Sequence, residues 1–176
     1  MDSTVLSIAS ASRSVYRYLN DTTHLLGIGN TKSTSPLPIA NPYDVDVPDL
    51  IGYVPVTYLY AVIDNPNGDI ITSDSRYNRI LDAPNTFNLI ANNCTQVYLE
   101  CFINHSNLPS SLISYSAVGI YTGCIIDPLY VDSLSTDSFI PKERIVSSYL
   151  DTIQQFSYVT RKKGVTHKVQ IVRGFS

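Results

Sequence analysis

"SYSAVGIYTGC", residues 114–124, decides how this chain is read. Its Tyr, Val and Ile belong to a strand, yet Gly119 interrupts the middle and Thr122-Gly123 closes it. Glycine inside a strand packs nothing and costs backbone entropy. It therefore marks a bulge, or a place where another part of the protein comes close. The flanking sequence shows what kind of fold supplies that neighbour.

Upstream, "TQVYLECFIN" (95–104) alternates, with Val97, Leu99, Cys101 and Ile103 on one face, and "HSNLPSS" (105–111) breaks it. "VPVTYLYAVID" (54–64) reads as one strand. "NPNGD" (65–69) is a turn hinged at Asn67-Gly68, and "IITSDSRYNRIL" (70–81) returns as the second half of a hairpin. "TFNLI" (86–90) and "HLLGIGN" (24–30) read as short strands, and residues 9–20 as a short helix ending at "NDTT". Downstream, the loop "DPLYVDSLSTDSFIPKE" (127–143) leads to "RIVSSYLDTIQQFSYVTR" (144–161). After "RKKG" comes a last strand in which Val165, His167, Val169, Ile171 and Arg173 share one face. The expected class is mainly β: an antiparallel β-sandwich-like body with one short N-terminal helix.

Residues 31–55 differ in character. Prolines at 36, 38, 42, 48 and 55 remove donors and fix φ, which argues against both helix and central strand. Leu37, Ile39, Tyr43 and Val45 make the stretch too apolar for a free linker. It reads as a Pro-rich extended arm lying against a surface of its own subunit or a neighbour. A single domain is expected, in three parts: helix and strand over 1–30, the arm over 31–55 and the β body over 56–176.

Composition points to contact with other proteins. Only 15% of the 176 residues are charged, and thirteen tyrosines stand against five phenylalanines and no tryptophan. Tyr supplies contact area at low entropic cost, and charge is depleted in interface cores; β propensity also favours Tyr and Thr. A net charge of −3 makes the whole chain no magnet for nucleic acid. Neither a signal peptide nor a membrane span is expected from its apolar runs. Cys94, Cys101 and Cys124 lack metal-site spacing and read as buried free thiols.

Catalytic and cofactor signatures are thin. His24, His105 and His167 are scattered without a zinc-site spacing. "GIGN" (27–30) lacks the third glycine of a phosphate loop, and no Gly-x-Ser-x-Gly elbow occurs. Asp44, Asp46 and Asp49 match no calcium loop. The expectation is therefore no enzyme, no cofactor and no metal. The basic cluster of Arg161, Lys162, Lys163, Lys168 and Arg173 is the most polarised region, and it reads as a subunit contact rather than a nucleic-acid surface.

Two stretches combine into a resemblance. Residues 95–129, with "YSAVGI" at 115–120, resemble a segment of the phage baseplate wedge protein encoded by gene 8 in T-even phages. There an aromatic-Arg-Gln-aliphatic-Gly-Ile strand is followed by a stop near Pro-Leu. Residues 147–175 are similar to that family's C-terminal pair of strands, with Ser148-Tyr149-Leu150, Tyr158-Val159-Thr160-Arg161 and Gly174-Phe175 in matching order. "HLLGIGNTKSTSPLP" (24–38) agrees in outline with its Ile-Gly strand and proline-rich descent. Asn30 replaces the family's Arg there, its Trp is missing, and Ser116-Ala117 replace Arg-Gln.

The resemblance implies a subunit of a contractile tail, made in the bacterial cytoplasm, that forms a homodimer or higher oligomer. Its implied partners are other tail or baseplate proteins, with no nucleic acid and no membrane. A neck, collar or fibre-attachment adaptor, or a carbohydrate-binding β-sandwich, are the alternative readings. The expected contact residues are Pro36, Leu37, Ile39, Tyr43 and Val45 in the arm, with Arg161, Lys162 and Lys163 at the hairpin tip.

Overall fold

The computed structural model describes residues 3–20, 23–30, 46–80, 85–131 and 138–176. The chain is mainly β, of the antiparallel, β-sandwich-like class expected. It divides into two compact units that interleave along the sequence. Residues 1–22, 58–100 and 170–176 form the first; residues 23–57 and 101–169 form the second.

The first unit begins with α1, Ser3–Asn20. At 18 residues it is longer than the short helix expected. Its first turns are rich in Ser and Thr, weak helix formers that hide the element, but no Gly or Pro interrupts them. Ala11, Ser12, Val15 and Tyr18 are buried at the i, i+1, i+4 and i+7 positions of one helical face. Ser12 anchors that face, its hydroxyl donating to the Cys94 carbonyl at 2.7 Å.

Strands β3 (Tyr58–Asp64), β4 (Ile70–Ile71) and β5 (Arg76–Arg79) form the expected hairpin, with the Gly68 N–H closing the turn on the Asn65 carbonyl at 2.9 Å. "TFNLI" is not a strand but α2, Thr86–Ala91. Asn85 caps it, its side-chain oxygen accepting the Asn88 N–H at 2.8 Å. Five apolar-rich residues do not reveal their period, and the cap decides. "VPVTYLYAVID" likewise divides: its start ends β2 (Leu50–Pro55), and β3 begins only at Tyr58.

The chain then enters β6, Gln96–Asn104, where Val97, Leu99, Cys101 and Ile103 are at most 1% exposed, the face that the alternation marked. The five-stranded sheet order is β10-β6-β3-β5-β4, and β6 and β10 (Thr166–Gly174) run through both units.

The second unit contains the other sheet, ordered β8-β2-β1-β7-β9. Its strands are β1 (Leu25–Gly29), β2, β7 (Ser114–Ile126), β8 (Ile140–Pro141) and β9 (Ile145–Thr160). A short helix, α3 (Pro128–Val131), follows β7. β7 does not stop at Gly123. That glycine takes φ +59° at an irregularity in the β7–β9 register, and the strand continues to Ile126. Further bulges, one at Asp151, bend the edge strand β9 away from a straight ladder, which discourages pairing with another chain. The three cysteines are buried, and none is in a disulfide.

The arm reading needs correction at its carboxy-terminal end. Residues 50–55 are β2, paired on both sides by β1 and β8. The prolines permit this because Pro48 precedes the strand and Pro55 is its last residue. The expected contacts Pro36, Leu37, Ile39, Tyr43 and Val45 lie outside the described residues.

Candidate functional site

Two constructions in the second unit bear on the expected contacts. The first answers the question of Gly119. Gly27 of β1 and Gly119 of β7 face each other across the ladder, and Gly29 lies two residues along from Gly27. Residues 46–49 cross this bare strip. A Cβ on Gly119 would lie 2.7 Å from both Val47 Cγ2 and Leu150 Cδ1, and one on Gly29 only 2.0 Å from the Pro48 carbonyl oxygen. Tyr121 fastens the crossing: its hydroxyl accepts the Val47 N–H at 2.8 Å and donates to the Asp46 carboxylate at 2.9 Å. Burial holds this phenol far above its usual range, so it keeps its proton.

Asn30, where the resembling family has Arg, ties the same region to the 109–113 loop. Its amide donates to the Ser111 carbonyl, its side-chain oxygen accepts the Ile113 N–H, and its own N–H reaches the Asp49 carbonyl at 3.0 Å. Asn30 and Asp49, which stand on either side of residues 31–45 in the sequence, are thus bonded neighbours.

The second construction is the turn between β9 and β10, which carries Arg161, Lys162 and Lys163; it is not the tip of a hairpin as expected, because β9 and β10 belong to different sheets and do not pair. Its backbone is docked on a 3₁₀ turn, His105–Asn107. The His105 N–H donates to the Val165 carbonyl at 2.9 Å, and the Gly164 N–H to Ser106 Oγ at 3.0 Å. The Arg161 guanidinium turns inward, with Nε 3.4 Å from the His105 carbonyl and Nη2 3.3 Å from that of Leu108. Lys162 and Lys163 remain exposed. The structure therefore splits the expected trio: Arg161 fixes the tip, and the lysines face solvent.

Beneath the tip lies a group that sequence reasoning missed. Lys162 N–H donates to His105 Nδ1 at 3.1 Å. With Nδ1 an acceptor, the neutral ring carries its proton on Nε2, which donates to the Tyr115 hydroxyl at 2.8 Å. The Tyr115 hydroxyl is also hydrogen-bonded to His167 Nδ1, at 2.9 Å. One backbone N–H thus sets the tautomer of His105, which a fully buried tyrosine joins to His167, 62 positions away. The only signal in the sequence was His167, placed by alternation among Val165, Val169 and Ile171. The arrangement can hold and polarise protons, but Tyr115 is pushed well above the usual phenol range by burial and is no base at neutral pH.

Burial holds His24, His105 and His167 below the usual histidine range, with Asp151 partly opposing the effect at His24. For such a group the stabilising neutral form is complete above the unfolded pKa of about 6.5, and stability is lost as pH falls from there through the lowered folded value. Thermal melts are expected to be level from pH 8 to about 6.5 and to drop below it. A melting temperature that rises on acidification would contradict these three environments.

The glycan reading asks for an exposed aromatic face. Tyr58, Tyr60 and Tyr98 do form a row on the first unit's sheet, with centroid spacings of 5.8 and 6.4 Å. Arg79 covers Tyr60 at 3.8 Å and Tyr98 is 2% exposed, so the row packs mainly on itself.

No protein-family model matches this chain, and no curated protein does.

Proposed function

We propose that this protein is a non-enzymatic structural subunit of a bacteriophage virion, acting in the tail or baseplate by binding neighbouring protein subunits. The resemblance of residues 95–129 and 147–175 to the baseplate wedge family is what carries the reading. Supporting it, these stretches form β6, β7, β9 and β10, and the last two are joined by the docked basic tip. Chemically, a rigid tip with two exposed lysines suits a carboxylate-rich protein surface, because little ordering entropy remains to be lost on contact. In this reading the subunit reaches the virion from the bacterial cytoplasm and assembles as a homodimer or higher oligomer with other tail proteins.

Tagged protein incubated with a contractile-tail lysate is expected to retain tail components, and the double variant Lys162→Glu/Lys163→Glu to lose at least about tenfold of that binding at low salt. Both lysines are solvated, so the variant's melting temperature should stay within a few degrees. Retention of no tail component by the wild-type chain would end the virion reading. Undiminished retention by the folded variant would remove the tip from the contact.

A further inference from the structure

Positive charge in this chain is gathered at one end. Residues 152–176 contain Arg161, Lys162, Lys163, Lys168 and Arg173 and no acidic residue, while all fifteen Asp and Glu lie before them among the other seven Lys and Arg. The tip of this basic segment is fastened to the His105–Asn107 turn by bonds that a merely solubilising loop would not need.

We propose that His105 is a proton-operated latch on the basic tip, holding residues 161–164 in place while neutral and releasing them when Nδ1 is protonated. The latch follows from the bond order around the ring. Neutral Nδ1 accepts the Lys162 N–H. A proton placed there turns the acceptor into a donor, so that N–H faces N–H. Among the described residues, the charged or titratable groups bonded around His105 are Arg161 and Lys162 from the tip, Tyr115 from β7 and, through Tyr115, His167 from β10. None of them is acidic; burial first, and the Arg161 guanidinium after it, disfavour a positive charge on the ring, and the Lys162 backbone only partly opposes them. Switching tautomer gives no relief, because Nε2–H is already bonded to Tyr115.

Tyr115 is locked inside and the ring is 1% exposed, so the part able to yield is the surface tip. Burial keeps His105 neutral at ordinary pH, and the latch opens on the acid side. A released tip carries its lysines without fixed spacing, which weakens a contact with an acidic partner. That last consequence rests on the reading of the tip as a contact; the latch itself does not.

The test is a pH titration of the ¹⁵N-labelled full chain. Long-range ¹H–¹⁵N spectra report the state of His105, and amide exchange compares Lys162 and Gly164 with Ile120 in the paired middle of β7. As His105 protonates, protection at Lys162 and Gly164, corrected for intrinsic exchange, is expected to fall by up to about tenfold per pH unit while Ile120 holds. His105→Asn keeps an acceptor oxygen two bonds from Cβ, as Nδ1 is, but takes no proton; its Lys162 protection should not change with pH.

Protonation of His105 with Lys162 still protected would overturn the latch, as would a wild-type pH profile in the folded asparagine variant. If that variant does not fold, the wild-type titration decides alone. Poly-L-glutamate, added across the same range, probes the consequence: affinity falling with the His105 midpoint links latch to contact, and constant affinity breaks that link whatever the amides show.

Discussion

Gly29→Ala is expected to be the most damaging methyl on the glycine strip of β1 and β7, costing about 4 kcal/mol or more. The new Cβ would lie 2.0 Å from the Pro48 carbonyl oxygen, a backbone atom that cannot rotate aside. Lifting residues 46–49 breaks the two Tyr121 bonds and the Asn30–Asp49 bond, and removes Val47 from the core. A domain with a stability of 5–15 kcal/mol does not tolerate that well. Gly27→Ala should follow closely, since its Cβ would sit 2.4 Å from Cε2 of the Tyr121 ring, itself hydrogen-bonded in place.

Gly119→Ala should cost less, about 1–3 kcal/mol, because it meets the ends of the Val47 and Leu150 side chains. Gly174, with nothing within 4 Å, is the neutral control. Urea denaturation of the four variants checks the order Gly29, Gly27, Gly119, Gly174. A Gly29 variant as stable as the Gly174 variant would mean that residues 46–49 do not cross the strip in solution.

Tyr115→Phe is expected to destabilise by about 2–4 kcal/mol although it removes a single oxygen. His105 Nε2–H and His167 Nδ1 would both face a ring edge. His105 cannot re-pair by changing tautomer, since the Lys162 N–H dictates the proton on its ring. Tyr121→Phe should cost less, about 1–2 kcal/mol, because Asp46 is exposed and water replaces one partner, leaving only the Val47 N–H unsatisfied. Denaturant titrations at pH 7.5 compare the two, and equal costs would show that the Tyr115 chain is not closed as described.

These effects separate what was legible from what was not. Alternation in "TQVYLECFIN" placed four buried side chains correctly, because a strand's period of two is local and needs no partner to be read. The docked tip was likewise legible as a basic turn between two β runs. "TFNLI" was not, since a capping hydrogen bond from Asn85 settles a run too short to show its period. Residues 50–55 were misread because prolines bar a strand interior but not its ends.

By itself, then, the sequence determined the mainly β class, the face of β6 and the concentration of positive charge near the carboxy terminus, all properties of neighbouring residues. It also marked Gly119 as either a bulge or a point of close approach. What lies there, residues 46–49, more than 70 positions away, only the tertiary structure decided. The joining of His105, Tyr115 and His167 was decided in the same way. Such contacts depend on which strands pair and in what register, and no local preference encodes the distance between two points that folding brings together.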